Sequence, residues 1–142
     1  MGSWVRAAVA GTAMLAAGPV LAQSMDGTWQ GRIRCEASGT LGPLNAAIKV
    51  TIAGARASYE RNIVNPSDTS KVLGTDTGSG AVTPDGQVRM SGGANGGTWR
   101  QSTEISGKLT GRNSTLGANI TNYSRANNAG IERRCTITIQ QG

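Results

Sequence analysis

Trp29-Gln30-Gly31-Arg32-Ile33-Arg34-Cys35 alternates in character: Trp29, Gly31, Ile33 and Cys35 share one parity, and Gln30, Arg32 and Arg34 share the other. Successive side chains of an extended strand point to opposite faces, so this stretch is a half-buried β-strand with a polar outer face. The same period recurs. Ile48, Val50 and Ile52 alternate with Lys49 and Thr51. After the turn Ala53-Gly54-Ala55-Arg56, Ala57 and Tyr59 alternate with Ser58 and Glu60 as the return arm of a hairpin. Asn65-Pro66-Ser67-Asp68 closes that arm. Thr83-Pro84-Asp85-Gly86 is a reverse turn between Ala81-Val82 and Val88-Met90.

Further strands are expected at Trp99–Ser106, Lys108–Gly111, Leu116–Tyr123 and Glu132–Gln140, with Ser91–Gly97 as a loop on its Gly-rich composition. Eight or nine strands result, and no segment has a helical period. The fold class is therefore all-β. Short consecutive connections and a thin apolar set favour a small antiparallel up-and-down barrel, with a β-sandwich as the alternative. Glycine supplies 21 of the 142 residues, about twice its average usage of ~7%, which suits tight turns between short strands.

Met1–Ala22 has the plan of a secretory signal peptide: one early charge at Arg6, an apolar stretch from Ala7 to Leu21, and small residues before Gln23. The apolar stretch is short for a span of about 20 residues and is interrupted by Gly11, Gly18 and Pro19. Cleavage would leave residues 23–142 as a single domain with no transmembrane anchor, in the periplasm or secreted from a bacterium. The chain has two cysteines. In an exported chain the simplest reading is one disulfide between Cys35 and Cys135, each on the apolar parity of its strand.

The chain lacks histidine, which excludes Ser-His-Asp and Cys-His machinery and most zinc sites. No catalytic residue, metal site or cofactor is expected. Asp26, Glu36, Glu60, Asp68, Asp76, Asp85, Glu104 and Glu132 are the carboxylates outside the signal, and none forms a pair recognisable from spacing. The run Ser91–Gly97 lacks the Gly-Lys-Ser/Thr ending and the helix of a phosphate-binding loop.

The formal net charge is +6. A Cys35–Cys135 bond would gather Arg32, Arg34, Arg133 and Arg134 into a basic patch, and guanidinium groups suit phosphate and carboxylate recognition. An anionic glycan, a lipid headgroup or an acidic protein is the expected class of partner. Nucleic acid is not, because the patch lacks interleaved aromatic residues for stacking. Trp29, Tyr59, Trp99 and Tyr123 are the residues expected at a cavity or barrel mouth, with Trp29 plugging one end of the core.

Asp26-Gly27-Thr28-Trp29-Gln30-Gly31, followed by Cys35, Ile48-Lys49-Val50, Tyr59 and Arg134-Cys135, resembles small exported β-barrel proteins of proteobacteria. The resemblance implies a periplasmic setting and brings no catalytic residues. The opening Gly27-Thr28-Trp29 is also similar to lipocalin-like and avidin-like barrels, whose ligand contacts have no counterpart here. The resulting expectation is a non-enzymatic binding or interaction module for an anionic or small amphipathic ligand. Two alternatives stay open: an inhibitor of an envelope or host enzyme presenting Ser91–Gly97, and a carboxylate-dependent glycan hydrolase.

Overall fold

A computed structural model describes residues 24–142. The expected signal peptide, Met1–Ala22, lies outside the described residues. Eight strands follow in order: β1 (Gly27–Cys35), β2 (Leu44–Ala53), β3 (Arg56–Asn65), β4 (Asp68–Val82), β5 (Gln87–Asn95), β6 (Trp99–Lys108), β7 (Asn113–Ser124) and β8 (Gly130–Gln141). Each pairs antiparallel with its neighbours in sequence, and β1 pairs with β8, so the sheet closes into an up-and-down barrel. Closure leaves no long free edge, and the sandwich alternative is set aside. No helix among the described residues is long and apolar enough to cross a membrane.

The period-two reading carries directly into packing. Trp29, Ile33 and Cys35 of β1 point inward, as do Ile48, Val50 and Ile52 of β2 and Cys135, Ile137 and Ile139 of β8. With Val82, Val88, Met90, Ile105, Leu109 and Leu116 they fill one half of the barrel with apolar side chains. That end is stoppered by the indole of Trp29, whose Nε1 donates to the Met25 carbonyl at 2.9 Å. The Gln141 amide ties Ser24 and Asp26 across the same end.

The expected disulfide is present. Cys35 and Cys135 are directly opposed across the β1–β8 ladder and are bonded. They form its last rung, so the bond joins the first strand to the last at the seam where the barrel closes. Beyond this rung, β8 from Gly130 to Arg134 has no β1 neighbour. Its flank is instead met by the 36–43 connection, a small turn closed by paired bonds between Ser38 and Leu41.

Three parts of the sequence reading need correction. Lys108–Gly111 is not a strand of its own: β6 ends at Lys108, and residues 109–112 connect it to β7. Of Ser91–Gly97 only Gly96 and Gly97 lie in a loop: β5 runs through to Asn95, and Gly92 and Gly93 sit in register with Thr103 and Ser102 of β6. A ladder between two neighbours is made by backbone groups, so glycine and serine enter it once flanking strands supply the partners. For the same reason the Gly-rich run before Val82 is a strand of 15 residues, β4. Only Thr77–Val82 of it reaches β5, and the β3–β4 hairpin overhangs the wall with Val72 and Leu73 exposed.

Candidate functional site

The half of the barrel opposite Trp29 has a different lining. The inward parity of β3 continues from Ala57 and Tyr59 to Arg61, that of β4 runs back from Val82 to Asp76, and β6 contributes Gln101 and Thr103. All four polar residues are buried. Asp76 is the centre. Its Oδ1 accepts from the Tyr59 hydroxyl at 2.8 Å, and its Oδ2 accepts from Gln101 Nε2 at 3.0 Å and Thr103 Oγ1 at 2.7 Å. The Arg61 guanidinium pairs with the same Oδ2 at 3.2 Å. A buried carboxylate is tolerable when its lone pairs are met in this way.

Backbone geometry sets the position of the Tyr59 ring. A Cβ at Gly78 would lie 2.4 Å from Tyr59 Cε1 and 2.4 Å from the Ser91 carbonyl. Only glycine lets the ring lie against β4 and deliver its hydroxyl to Asp76. Burial, and then the adjacent Asp76 carboxylate, push the Tyr59 phenol well above its ordinary range. The Arg61 guanidinium is drawn down by burial, against the opposing pull of Asp76.

Arg133 enters the same end from β8, on the inward parity of Cys135 and Ile137, and is buried. Its Nη1 donates to the Gly42 carbonyl at 3.1 Å, holding the 36–43 connection against the barrel. Burial lowers its affinity for the proton, and repulsion from the Arg61 charge lowers it further. Arg61 and Arg133 are thus electrostatic neighbours. Asp76 is the one acidic side chain among the buried described residues. The buried side chains of this end thus include two guanidinium groups and one carboxylate, and that carboxylate is paired with Arg61.

The shortfall in charge is matched by one in hydrogen bonding. Among the described residues, the buried side-chain atoms without a hydrogen-bond partner are Arg61 Nε, Arg133 Nε and Asn122 Nδ2. All three are N–H donors. Asn122 stands opposite Ile131 in the β7–β8 ladder, and Ile120 stands opposite Arg133. This places Asn122 one inward step from Arg133, towards the rim. Stranded donors in a low-dielectric interior each cost about 1–3 kcal/mol, more when charged.

Around the rim, Leu44, Ile63, Ile131 and Trp99 are half-buried. The Trp99 indole lies against glycine backbone, since a Cβ at Gly96 would fall 2.2 Å from the ring. The exposed rim cations are engaged elsewhere. Arg100 stacks 3.9 Å above the Tyr123 ring and donates to Asn128, while Arg125 donates to the Trp99 carbonyl and to Asn95.

The sequence-derived sites are therefore divided between inside and outside. Arg32, Arg34 and Arg134 lie on the outer wall, with Arg32 donating to the Asn45 side chain at 2.7 Å. Arg133 is separated from them, because adjacent residues of a strand face opposite ways and Arg134 takes the outward place. The expected patch of four is a patch of three plus one interior cation. Trp29 is buried at the apolar end, Tyr59 lies mid-barrel, and Trp99 and Tyr123 flank the polar end. The mouth expected from these four aromatics thus receives only Trp99, because Tyr123 takes the outward place beside Asn122 and meets Arg100 on the outer wall.

Arg61, Asp76, Gln101 and Asn122 were not singled out as a site by the sequence. A charged residue on the apolar parity of a strand is the signal that would have found Arg61 and Asp76. Outside the barrel, a groove of about 570 Å³ is lined by Ser79, Arg89, Ser91, Glu104, Asn119 and Arg134 among others. Among the described residues, no group of three or more metal-ligating side chains converges. No protein-family model, curated protein or solved structure matches the chain.

Proposed function

We propose that the protein is a non-enzymatic, exported binding module that holds an anionic ligand at the polar end of its barrel. The observation that carries this reading is the presence of two buried guanidinium groups, Arg61 and Arg133, both with Nε unpartnered, and of a single buried carboxylate, which Arg61 engages. Folding alone does not reward this arrangement. Replacing buried charges with apolar groups of similar volume is often neutral or stabilising, so an uncompensated interior cation is a feature to explain by what it binds. An anion seated against Arg133 and Asn122 would use the stranded donors and balance the charge.

Export is supported by the disulfide at the seam and by the signal-like sequence of Met1–Ala22. The scaffold suits a binding role, because a closed barrel holds inward side chains on strands fixed from both sides, and preorganised groups lose little entropy on binding. The inhibitor reading is less favoured, since Ser91–Asn95 of its loop belongs to β5 and only a short connection to β6 is left.

Native mass spectrometry of the protein purified from the organism that makes it, with a denatured sample alongside, tests the proposal. A small non-covalent adduct that disappears on denaturation is expected. A bare protein mass under gentle conditions, together with no anion binding in vitro, would overturn it.

A further inference from the structure

We propose that the ligand of the polar end is a small monocarboxylate with a short apolar body. This rests on the binding reading above and adds the charge and shape of what is bound.

Charge comes first. The buried ionisable residues at this end are Arg61, Arg133 and Asp76, which leaves one positive charge uncompensated. A single carboxylate cancels it. A phosphate, carrying nearly two negative charges at neutral pH, would bring a surplus charge into the same low-dielectric space, where an unpaired ion is costly. The free groups, Arg61 Nε, Arg133 Nε and Asn122 Nδ2, are donors only. They suit an ionised carboxylate, which only accepts hydrogen bonds. Hydroxyl-rich ligands would also require acceptors, and the carboxylate of Asp76 is already filled by Tyr59, Gln101, Thr103 and Arg61.

Shape follows from what lies below and above the donors. Beneath them the barrel is filled: Ile33, Ile120 and Ile137 have 0% exposure, so a tail cannot be swallowed head-last. Above them, Leu44, Ile63, Ile131 and the Trp99 indole form a half-buried apolar rim. The three donor atoms are closed to solvent in this structure, so the carboxylate reaches them, head first, as the rim side chains part, and a short apolar body then rests on the rim. Opposed polarity at two depths favours an amphipathic molecule over an inorganic anion, which would leave the rim unused.

The experiment is calorimetric titration of the disulfide-bonded protein with hexanoate, hexyl phosphate and hexanol at neutral pH. Hexanoate is expected to bind roughly tenfold or more tightly than either analogue, the ratio that corresponds to one charge-assisted hydrogen bond. Arg133→Gln removes the unpaired cation, and Asn122→Asp brings a like charge to the carboxylate. Each is expected to abolish the preference, with folding verified by an unchanged far-UV spectrum. Should Arg133→Gln fail to fold, Asn122→Asp decides the matter. Hexyl phosphate binding as tightly as hexanoate would overturn the carboxylate assignment and leave anion binding standing. Failure of both anions to bind would remove the underlying reading too, and binding that both variants leave intact would place the site elsewhere.

Discussion

Asp76→Asn isolates the buried charge network with little change in side-chain volume. In the native protein Asp76 Oδ2 faces three donors, Gln101 Nε2, Thr103 Oγ1 and Arg61 Nη2, at 3.0, 2.7 and 3.2 Å. The amide can keep its oxygen towards the Tyr59 hydroxyl, but its NH₂ then points at those donors. Thr103 can rotate its hydroxyl and accept, recovering about 1 kcal/mol. Arg61 cannot adapt, and breaking a buried ion pair from one side costs about 3–5 kcal/mol. The expected net loss is about 3–4 kcal/mol, a large share of the 5–15 kcal/mol typical of a domain. Equilibrium urea denaturation, with the disulfide intact, reads it as a lower midpoint at unchanged slope. Adding Arg61→Gln to Asp76→Asn should restore part of the loss, because the uncompensated cation is gone. A loss below about 1 kcal/mol for Asp76→Asn alone would mean that Arg61 is solvated or otherwise paired and that Asp76 is not its sole counter-ion.

Replacing both Cys35 and Cys135 with alanine frees a loop spanning a sequence separation of 100 residues. The chain-entropy model assigns such a cross-link up to about 4.7 kcal/mol, so thermal unfolding should shift down by tens of degrees; a shift of only a few degrees would mean the β1–β8 ladder closes the barrel unaided. For Tyr59 the phenol is raised in the folded state, so its stabilising contribution is complete below the ordinary value near 10 and is lost as pH rises above it. Absorbance near 295 nm, compared between the native protein and Tyr59→Phe, should show Tyr59 ionising only together with alkaline unfolding; a phenol that titrates before unfolding would contradict its burial. Charge reversal at Arg32, Arg34 and Arg134 should leave the affinity for a small anion within about twofold at moderate salt, because these groups lie on the outer wall and are screened. A tenfold loss in calorimetry would move the site outside.

Much of the fold was legible because period-two alternation is enforced wherever one face of a strand is buried. Trp29 to Cys35 and Cys135 to Ile139 show it without interruption, and the parity of the cysteines gave their pairing at the seam. Where side chains are small, alternation vanishes: Ser91–Asn95 and Asp68–Gly80 carry almost no apolar signal and are strands because their neighbours complete their ladders. The interior site was hidden by a different physical cause. Arg61, Asp76 and Arg133 stand at inward positions, yet charge is the ordinary mark of an outward one. The Arg61–Asp76 pairing is tertiary, joining β3 to β4, and Arg133 reaches the same end from β8, so no local pattern records the site. The disulfide does bring Arg133 near Arg134, but its parity with Cys135 turns it inside.

Whether the polar end receives an anion can be read at the stranded nitrogens themselves. Side-chain Nε–H resonances of arginine can be followed in a ¹⁵N-labelled sample as acetate is added at constant ionic strength. Saturable shifts are expected at Arg61 and Arg133, with Arg32, Arg34 and Arg134 unmoved. Shifts confined to the outer-wall arginines, or none at Arg133 up to saturating acetate, would contradict anion binding at the polar end.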